Sequence, residues 1–200
     1  MGAYLRQVLE LSTAGRLPVP VDPDRIALVI GRDGSNKRRI EEAFNVRVNV
    51  DSEKGFVFLE PGENSTMYNV FRAKKAVEAL ALGFSVDDVV LLAEDVYDFE
   101  VVDLGEAARN QADLARIKAR VIGSEGKFKR TLEEITGVKI VIGEKVVGLI
   151  GDYEQLRLAK DAISRLIRGQ SHQTVLKLLE RESYGLRRRR LDLWERMSQV

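Results

Sequence analysis

Two pentapeptides carry the residue types in this chain most able to do chemistry: Ile30-Gly31-Arg32-Asp33-Gly34 and Ile122-Gly123-Ser124-Glu125-Gly126. A basic run follows each of them, Lys37, Arg38 and Arg39 in the first case and Lys127, Lys129 and Arg130 in the second. Glycines three residues apart have no Cβ, so a phosphodiester can come close to the main chain there. A loop that opens onto a helix start offers an anion unpaired N–H groups and the positive end of the helix dipole. The basic side chains add attraction for phosphate that does not depend on base sequence. Arg32–Arg39 carries four basic side chains and one acidic one, and Arg116–Arg130 carries six and one. The whole chain is only +1, with 32 Lys+Arg against 31 Asp+Glu, so the positive charge is local, as a nucleic-acid footprint requires. Asp33 and Glu125 work the other way, since a carboxylate at ~4 Å from a phosphate costs about 1 kcal/mol in water. Arg32 offsets Asp33, and Lys127 is the nearest basic residue to Glu125.

Other chemistries lack their parts. There is no cysteine, which removes disulfides, thiolate zinc sites, iron–sulfur clusters and thiol nucleophiles. The one histidine, His172, has no carboxylate motif around it and reads as a capping or surface residue. Gly126-Lys127 does not complete a phosphate-binding loop, because Val121 stands where a glycine is needed and Phe128 where Ser or Thr is needed. The glycine spacing is not that of a dinucleotide fingerprint either. Asp87, Asp88, Asp95 and Asp98 fit exposed carboxylates better than magnesium ligands. The expectation is a non-enzyme with no catalytic residue, no metal and no cofactor. No apolar run reaches the ~18 residues of a membrane span. The start Met1-Gly2-Ala3-Tyr4-Leu5-Arg6 does not read as a signal peptide, and a cytoplasmic protein is expected.

The elements that must position the two glycine corners are themselves duplicated. Residues 30–50 and 122–142 are identical at eight of 21 positions at an offset of 92, among them Lys37/Lys129, Arg38/Arg130, Glu41/Glu133 and Glu42/Glu134. Residues 73–85 match 159–171 at six of 13 positions at an offset of 86. The offset falls because the first copy has longer loops, where insertions are tolerated. Each copy reads as strand, helix, G-x-x-G, helix, strand, strand, helix. The strands are 17–21, 46–50 and 56–59, then 100–104, 138–142 and 146–150. Pro18 and Pro20 confine the first strand to a sheet edge. Asn45 and Gly137 suit left-handed caps at the ends of the helices after the corners. Val46, Val48 and Val50, or Val138, Ile140 and Ile142, are candidates for an apolar groove floor with Ile30 or Ile122, although alternation sends some of them into the core. An acidic stretch from Glu94 to Glu106 separates the copies and reads as a solvated linker, with a docking surface or an intramolecular partner for the basic segments as the other readings.

Ile-G-x-x-G, found twice between helices and followed by a basic helix start and a strand, resembles the type I KH domain over about 70 residues of each half. The resemblance implies an α+β fold of two type I KH domains, each a three-stranded antiparallel sheet with helices on one face. The domains are placed at 1–95 and 96–183, with a basic tail at 184–200 that holds Arg187–Arg190 and Trp194. By the same resemblance the RNA-binding residues are Ile30, Gly31, Arg32, Asp33, Gly34, Lys37, Arg38 and Val48, with Ile122, Gly123, Ser124, Glu125, Gly126, Lys127, Lys129, Arg130 and Ile140. The acidic loop residues depart from the Lys, Arg or Gly usual there.

Residues 119–140 and 151–169 are similar, more narrowly, to the tandem-KH proteins of small ribosomal subunit assembly, the partner-of-Nob group. That similarity implies single-stranded RNA near the 3′ end of small-subunit rRNA as the ligand. It implies as partners the Nob endonuclease and the alpha subunit of the initiation factor that carries initiator tRNA. A protein–protein adaptor with degenerate KH domains is the alternative reading. Gly123→Asp is expected from the motif to weaken RNA binding without unfolding the domain.

Overall fold

Strand β1 (Leu17–Pro20) opens the computed structural model, which describes residues 15–197 and, of their side chains, those up to residue 186 together with Arg188. The expectations for residues 1–14, for Trp194 and for the side chains of Arg187, Arg189 and Arg190 lie outside the described residues. The described chain divides into two units between Phe99 and Glu100.

In the first unit, β1 is followed by α1 (Pro23–Ile30), a single turn at Arg32–Gly34, and α2 (Ser35–Phe44). Then come β2 (Val46–Asp51), β3 (Phe56–Pro61), α3 (Met67–Leu82) and the short α4 (Val86–Val89). Helix α1 begins where Asp22 accepts the Asp24 N–H at 3.2 Å and Pro23 sets the first helical φ. It buries Ile26 and Val29, while α2 buries Ile40 and Phe44, one turn apart on one face. Asn45 ends α2 in the left-handed region at φ 50°, and its side-chain amide donates to Glu63 O at 2.8 Å. The chain then reverses into β2, where Val46 and Val48 face inward and Arg47 and Asn49 outward.

The sheet order is β1-β3-β2, antiparallel throughout, so the proline-bearing β1 lies on an edge as its composition requires. Helix α3 packs across the sheet with Val70, Ala73, Val77 and Leu80 fully or almost fully buried. Small alanines at 73, 76 and 79 let it sit close.

The second unit repeats this plan. Its elements are β4 (Tyr97–Asp103), α5 (Gln111–Ile122), a turn at Ser124–Gly126, α6 (Lys127–Thr136), β5 (Lys139–Ile142), β6 (Val146–Asp152) and α7 (Tyr153–Ile167). The division between the units falls within β4, and the sheet order is β4-β6-β5. Gly137 closes α6 at φ 81°, the counterpart of Asn45. A capping box between Asp152 and Gln155 starts α7. The core gathers Leu104, Ile117, Leu132, Leu149, Ile163 and Leu166, each no more than 1% exposed.

One element, the helix that follows Ser171, is far longer than its counterpart in the first unit, the short α4 that follows Ser85. Helix α8 (His172–Met197) packs on α6 and α7, burying Val175 and Leu179, and the Ser183 hydroxyl donates to Ile135 O at 3.0 Å. It runs unbroken past residue 184, where the sequence suggests that a tail begins.

Much of the acidic stretch serves as the intramolecular partner of basic side chains. Asp95 accepts from the Tyr68 hydroxyl at 2.8 Å and lies 3.6 Å from Arg72, Asp98 pairs with Lys75 at 2.5 Å, and Glu100 pairs with Lys160. Arg72 also donates to the carbonyls of Leu92, Glu94 and Tyr97, holding the segment between α4 and β4 against α3.

Candidate nucleic-acid interface

The two glycine corners fold alike to within a few degrees. Gly31 has φ 71°, ψ 176° and Gly123 has φ 75°, ψ 173°, and each N–H donates back to the preceding helix, to Ala27 O and Ala119 O at 2.9 Å. Gly34 and Gly126 donate to Gly31 O and Gly123 O at 3.3 and 3.2 Å, closing the turn. Asp33 and Glu125 both take the left-handed conformation at φ 51°. Their carboxylates therefore stand on an exposed corner, where the backbone and not the side chain is constrained.

The two glycines of each motif have different jobs. A Cβ at Gly31 would lie 2.8 Å from Asn36 N, and one at Gly123 would lie 2.7 Å from Phe128 N and 2.6 Å from Phe128 Cβ. These first glycines let the corner pack on the helix that follows. A Cβ at Gly34 or Gly126 would meet only the flexible ends of Arg38 at 3.5 Å and Arg130 at 3.4 Å. The second glycine is the one that faces open space, and it is there that a phosphate can approach.

Helices α2 and α6 also start differently from their neighbours. Asp22, Asn110 and Asp152 cap α1, α5 and α7 through side-chain oxygens, whereas Gly34 and Gly126 give α2 and α6 no side-chain cap. An uncapped helix start leaves N–H donors for water or for an anion. Around these two starts, Arg32, Arg38, Lys127 and Arg130 are exposed and hold no carboxylate among the described residues. Other members of the basic runs are committed elsewhere. Arg39 pairs with Asp87 at 2.6 Å, and Arg116 pairs with Asp113, whose carboxyl is held below its usual range by the guanidinium and by the Arg109 N–H.

Of the residues expected to form the groove floor, Ile122 is 37% exposed and Ile30 half-buried, together with Leu28 at 40% on the same helix end as Ile30. Val48 and Ile140 are 1% and 2% exposed, so their side chains belong to the cores and only their main chain can meet a ligand. Sequence reasoning missed two residues that the fold brings to this position. Glu41 Oε1 accepts the Val48 N–H and Glu133 Oε1 accepts the Ile140 N–H, both at 2.9 Å. Their signal was present, since Glu41 and Glu133 are identical positions of the repeat. Among the described residues no group of three His, Cys, Asp or Glu is placed to hold a metal ion, and no helix is long and apolar enough to cross a membrane.

Two antiparallel three-stranded sheets of this order, each with a G-x-x-G corner between its first two helices, define a tandem KH protein. Residues 16–78 match the KH domain family, and residues 98–184 match the family described as eukaryotic type KH-domain, type I. A KH domain-containing protein of Methanocaldococcus jannaschii is 32% identical over 180 residues, 90% of this chain and 79% of that one. The pre-rRNA-processing protein pno1 of Aspergillus oryzae is 28% identical over 156 residues, 76% of this chain and 60% of that one.

Among solved structures, a protein from Aeropyrum pernix is 39% identical with a TM-score of 0.84, covering 90% of this chain and 97% of that one. Dim2p of Pyrococcus horikoshii, in a complex with a/eIF2alpha and rRNA, is 30% identical with a TM-score of 0.78, covering 85% of this chain and 94% of that one. The chain belongs to the Pno1/Dim2 family of tandem KH-domain proteins.

Proposed function

We propose that this chain is a non-catalytic binder of single-stranded RNA that engages small-subunit rRNA near its 3′ end during ribosome maturation, in the cytoplasm. One observation carries this reading. Twice in the chain, an exposed glycine corner opens onto a helix start that no side chain caps, with unpaired basic residues around it. The relatives agree in kind, since the Aspergillus protein is named for pre-rRNA processing and the Pyrococcus protein is in a complex with rRNA. The same complex supports the alpha subunit of the initiation factor as a partner. The Nob endonuclease is proposed as a further partner on the family resemblance alone.

Lys127→Ala with Arg130→Ala tests the reading, since both side chains are exposed and hold no carboxylate among the described residues. Binding of a single-stranded oligonucleotide carrying the small-subunit 3′ end, followed by fluorescence anisotropy across a salt series, is expected to weaken about tenfold. The slope of log affinity against log salt is expected to flatten by roughly 1.4, the value for two phosphates lost from a single strand. Unchanged affinity and slope would remove the second corner from the interface. No binding by the unmodified chain, even at low salt, would leave the adaptor reading in its place.

A further inference from the structure

The two glycine corners are tied at the same carbonyl by different side chains. Leu28 and Arg120, equivalent at the offset of 92, stand in the last turns of α1 and α5, where a helix leaves carbonyls without helical partners. In the first unit Asn36 Nδ2 donates to Leu28 O at 2.8 Å. Asn36 is also the residue beneath Gly31, so a single side chain supports that corner from within. Its equivalent in the second unit is Phe128, which lies beneath Gly123 and has no side-chain donor. There the Arg120 carbonyl is met by His172 Nε2 at 2.7 Å, from 52 residues away. The imidazole lies against the Phe128 ring, with centroids 4.9 Å apart and planes at 48°. A carbonyl oxygen only accepts, so Nε2 carries a proton. Val86, which follows Ser85 in the first unit as His172 follows Ser171, has no such donor. The pair Asn36 and Val86 is exchanged for Phe128 and His172, and the donor moves from the helix of the corner to the first residue of α8.

We propose that His172 is a positioning residue for the second corner. Through Arg120 O and the Phe128 ring it fixes the end of α5 and the start of α6, between which Gly126 opens to phosphate. The surroundings hold α8 in place for this task. The Arg120 guanidinium donates to Gln170 O just ahead of the helix, and Ser171 Oγ accepts the Thr174 N–H at 3.2 Å. Val175 and Leu179 anchor the next two turns in the core. Without the imidazole the Arg120 carbonyl loses its partner and the turn at 124–126 is freed at one end. Its amides must then be ordered at the moment phosphate arrives, which costs affinity. The first corner needs no distant support, because Asn36 is part of α2 itself. RNA affinity at the second corner therefore depends on a side chain outside the motif. This inference rests on the proposed RNA-binding function and adds a residue of α8 to it.

The test compares His172→Ala, His172→Gln and Leu179→Val with the unmodified chain, by anisotropy with the small-subunit 3′-end oligonucleotide. Glutamine keeps an amide N–H donor for Arg120 O. Leu179→Val removes a buried methylene two turns along α8 and leaves that carbonyl paired. His172→Ala is expected to bind about fivefold more weakly, the size of one hydrogen bond. His172→Gln is expected to return to within about twofold of the unmodified chain. Leu179→Val is expected to melt as low as His172→Ala and still bind within about twofold. A second measurement needs no variant, because the chain has one histidine and its ring signals are unambiguous. Those signals are expected to shift on adding the oligonucleotide, in step with the Gly126 amide. Undiminished binding by His172→Ala, equal losses in Leu179→Val, or a ring that stays still while the Gly126 amide moves would overturn the positioning role and leave RNA binding standing. Failure of the unmodified chain to bind the oligonucleotide would bring down both.

Discussion

The Gly34→Asp, Gly126→Asp double variant is expected to bind single-stranded RNA at least about a hundredfold more weakly than the unmodified chain, with both domains still folded. An added Cβ meets only the movable tips of Arg38 and Arg130 at these positions. The backbone there is left-handed, φ 75° and 72°, a conformation that aspartate tolerates better than most side chains, at about 1 kcal/mol. Part of that cost returns, because residues 34 and 126 are the N-caps of α2 and α6, where an aspartate oxygen accepts from the first turn. The new carboxylates therefore take up the helix N–H groups that would face phosphate and add a like charge, worth about 4 kcal/mol at 4 Å where the effective dielectric constant is near 20.

With both corners changed, the avidity of two linked modules is lost as well. Anisotropy titration reports the binding, and circular-dichroism melting checks the fold, with Tm expected within about 5 °C of the unmodified chain. The neutral Gly34→Asn, Gly126→Asn pair is expected to lose much less. An aspartate variant that binds within twofold of the original would show that neither corner touches phosphate.

Gly123→Ala is expected to have the opposite profile, a large loss of stability in the second unit. Its φ of 75° with ψ of 173° belongs to a region that essentially only glycine occupies, which costs about 1–3 kcal/mol for another residue. The new methyl would also lie 2.6 Å from Phe128 Cβ and 2.7 Å from Phe128 N, closer than carbon atoms approach. Phe128 is 4% exposed and part of the second core, so relief requires moving the start of α6. Strain and displaced packing together give a destabilisation of roughly 3 kcal/mol or more. For a unit of this size that lowers Tm by about 12 °C or more. Urea and thermal denaturation measure it, and a variant within 1 kcal/mol of the original would refute the assignment of this glycine to internal packing. Gly123→Asp carries the same clash. It is a probe of folding and not of phosphate contact, which corrects the expectation drawn from the motif alone.

The two glycines of each motif are equivalent in sequence and differ only in packing. Both are written identically as G-x-x-G, and no pattern in one dimension tells which faces inward. That depends on where residue 36 or 128, five positions later, is carried by the next helix. Val48 and Ile140 pose the same problem. Alternation establishes that neighbours point to opposite sides of a strand, while the packing of α3 or α7 decides which side is the core. Arg39 reads as part of a phosphate-binding run, yet the fold delivers Asp87 to it across 48 residues. The acidic stretch is similar, for its partners on α3 and α7 stand next to it only after the helices have docked.

What the amino-acid order determined by itself was the duplication, the succession of elements in each copy, the edge position of β1 and the left-handed ends at Asn45 and Gly137. Each of these follows from backbone chemistry local to a few residues: proline without an N–H, glycine or asparagine at positive φ, apolar spacing of two or of three to four. The tertiary structure alone decided which glycine stays open, which cations remain unpaired, and that Glu41 and Glu133 take the outer-strand N–H groups. Those outcomes are distances between atoms that are set only when helix and sheet have packed together.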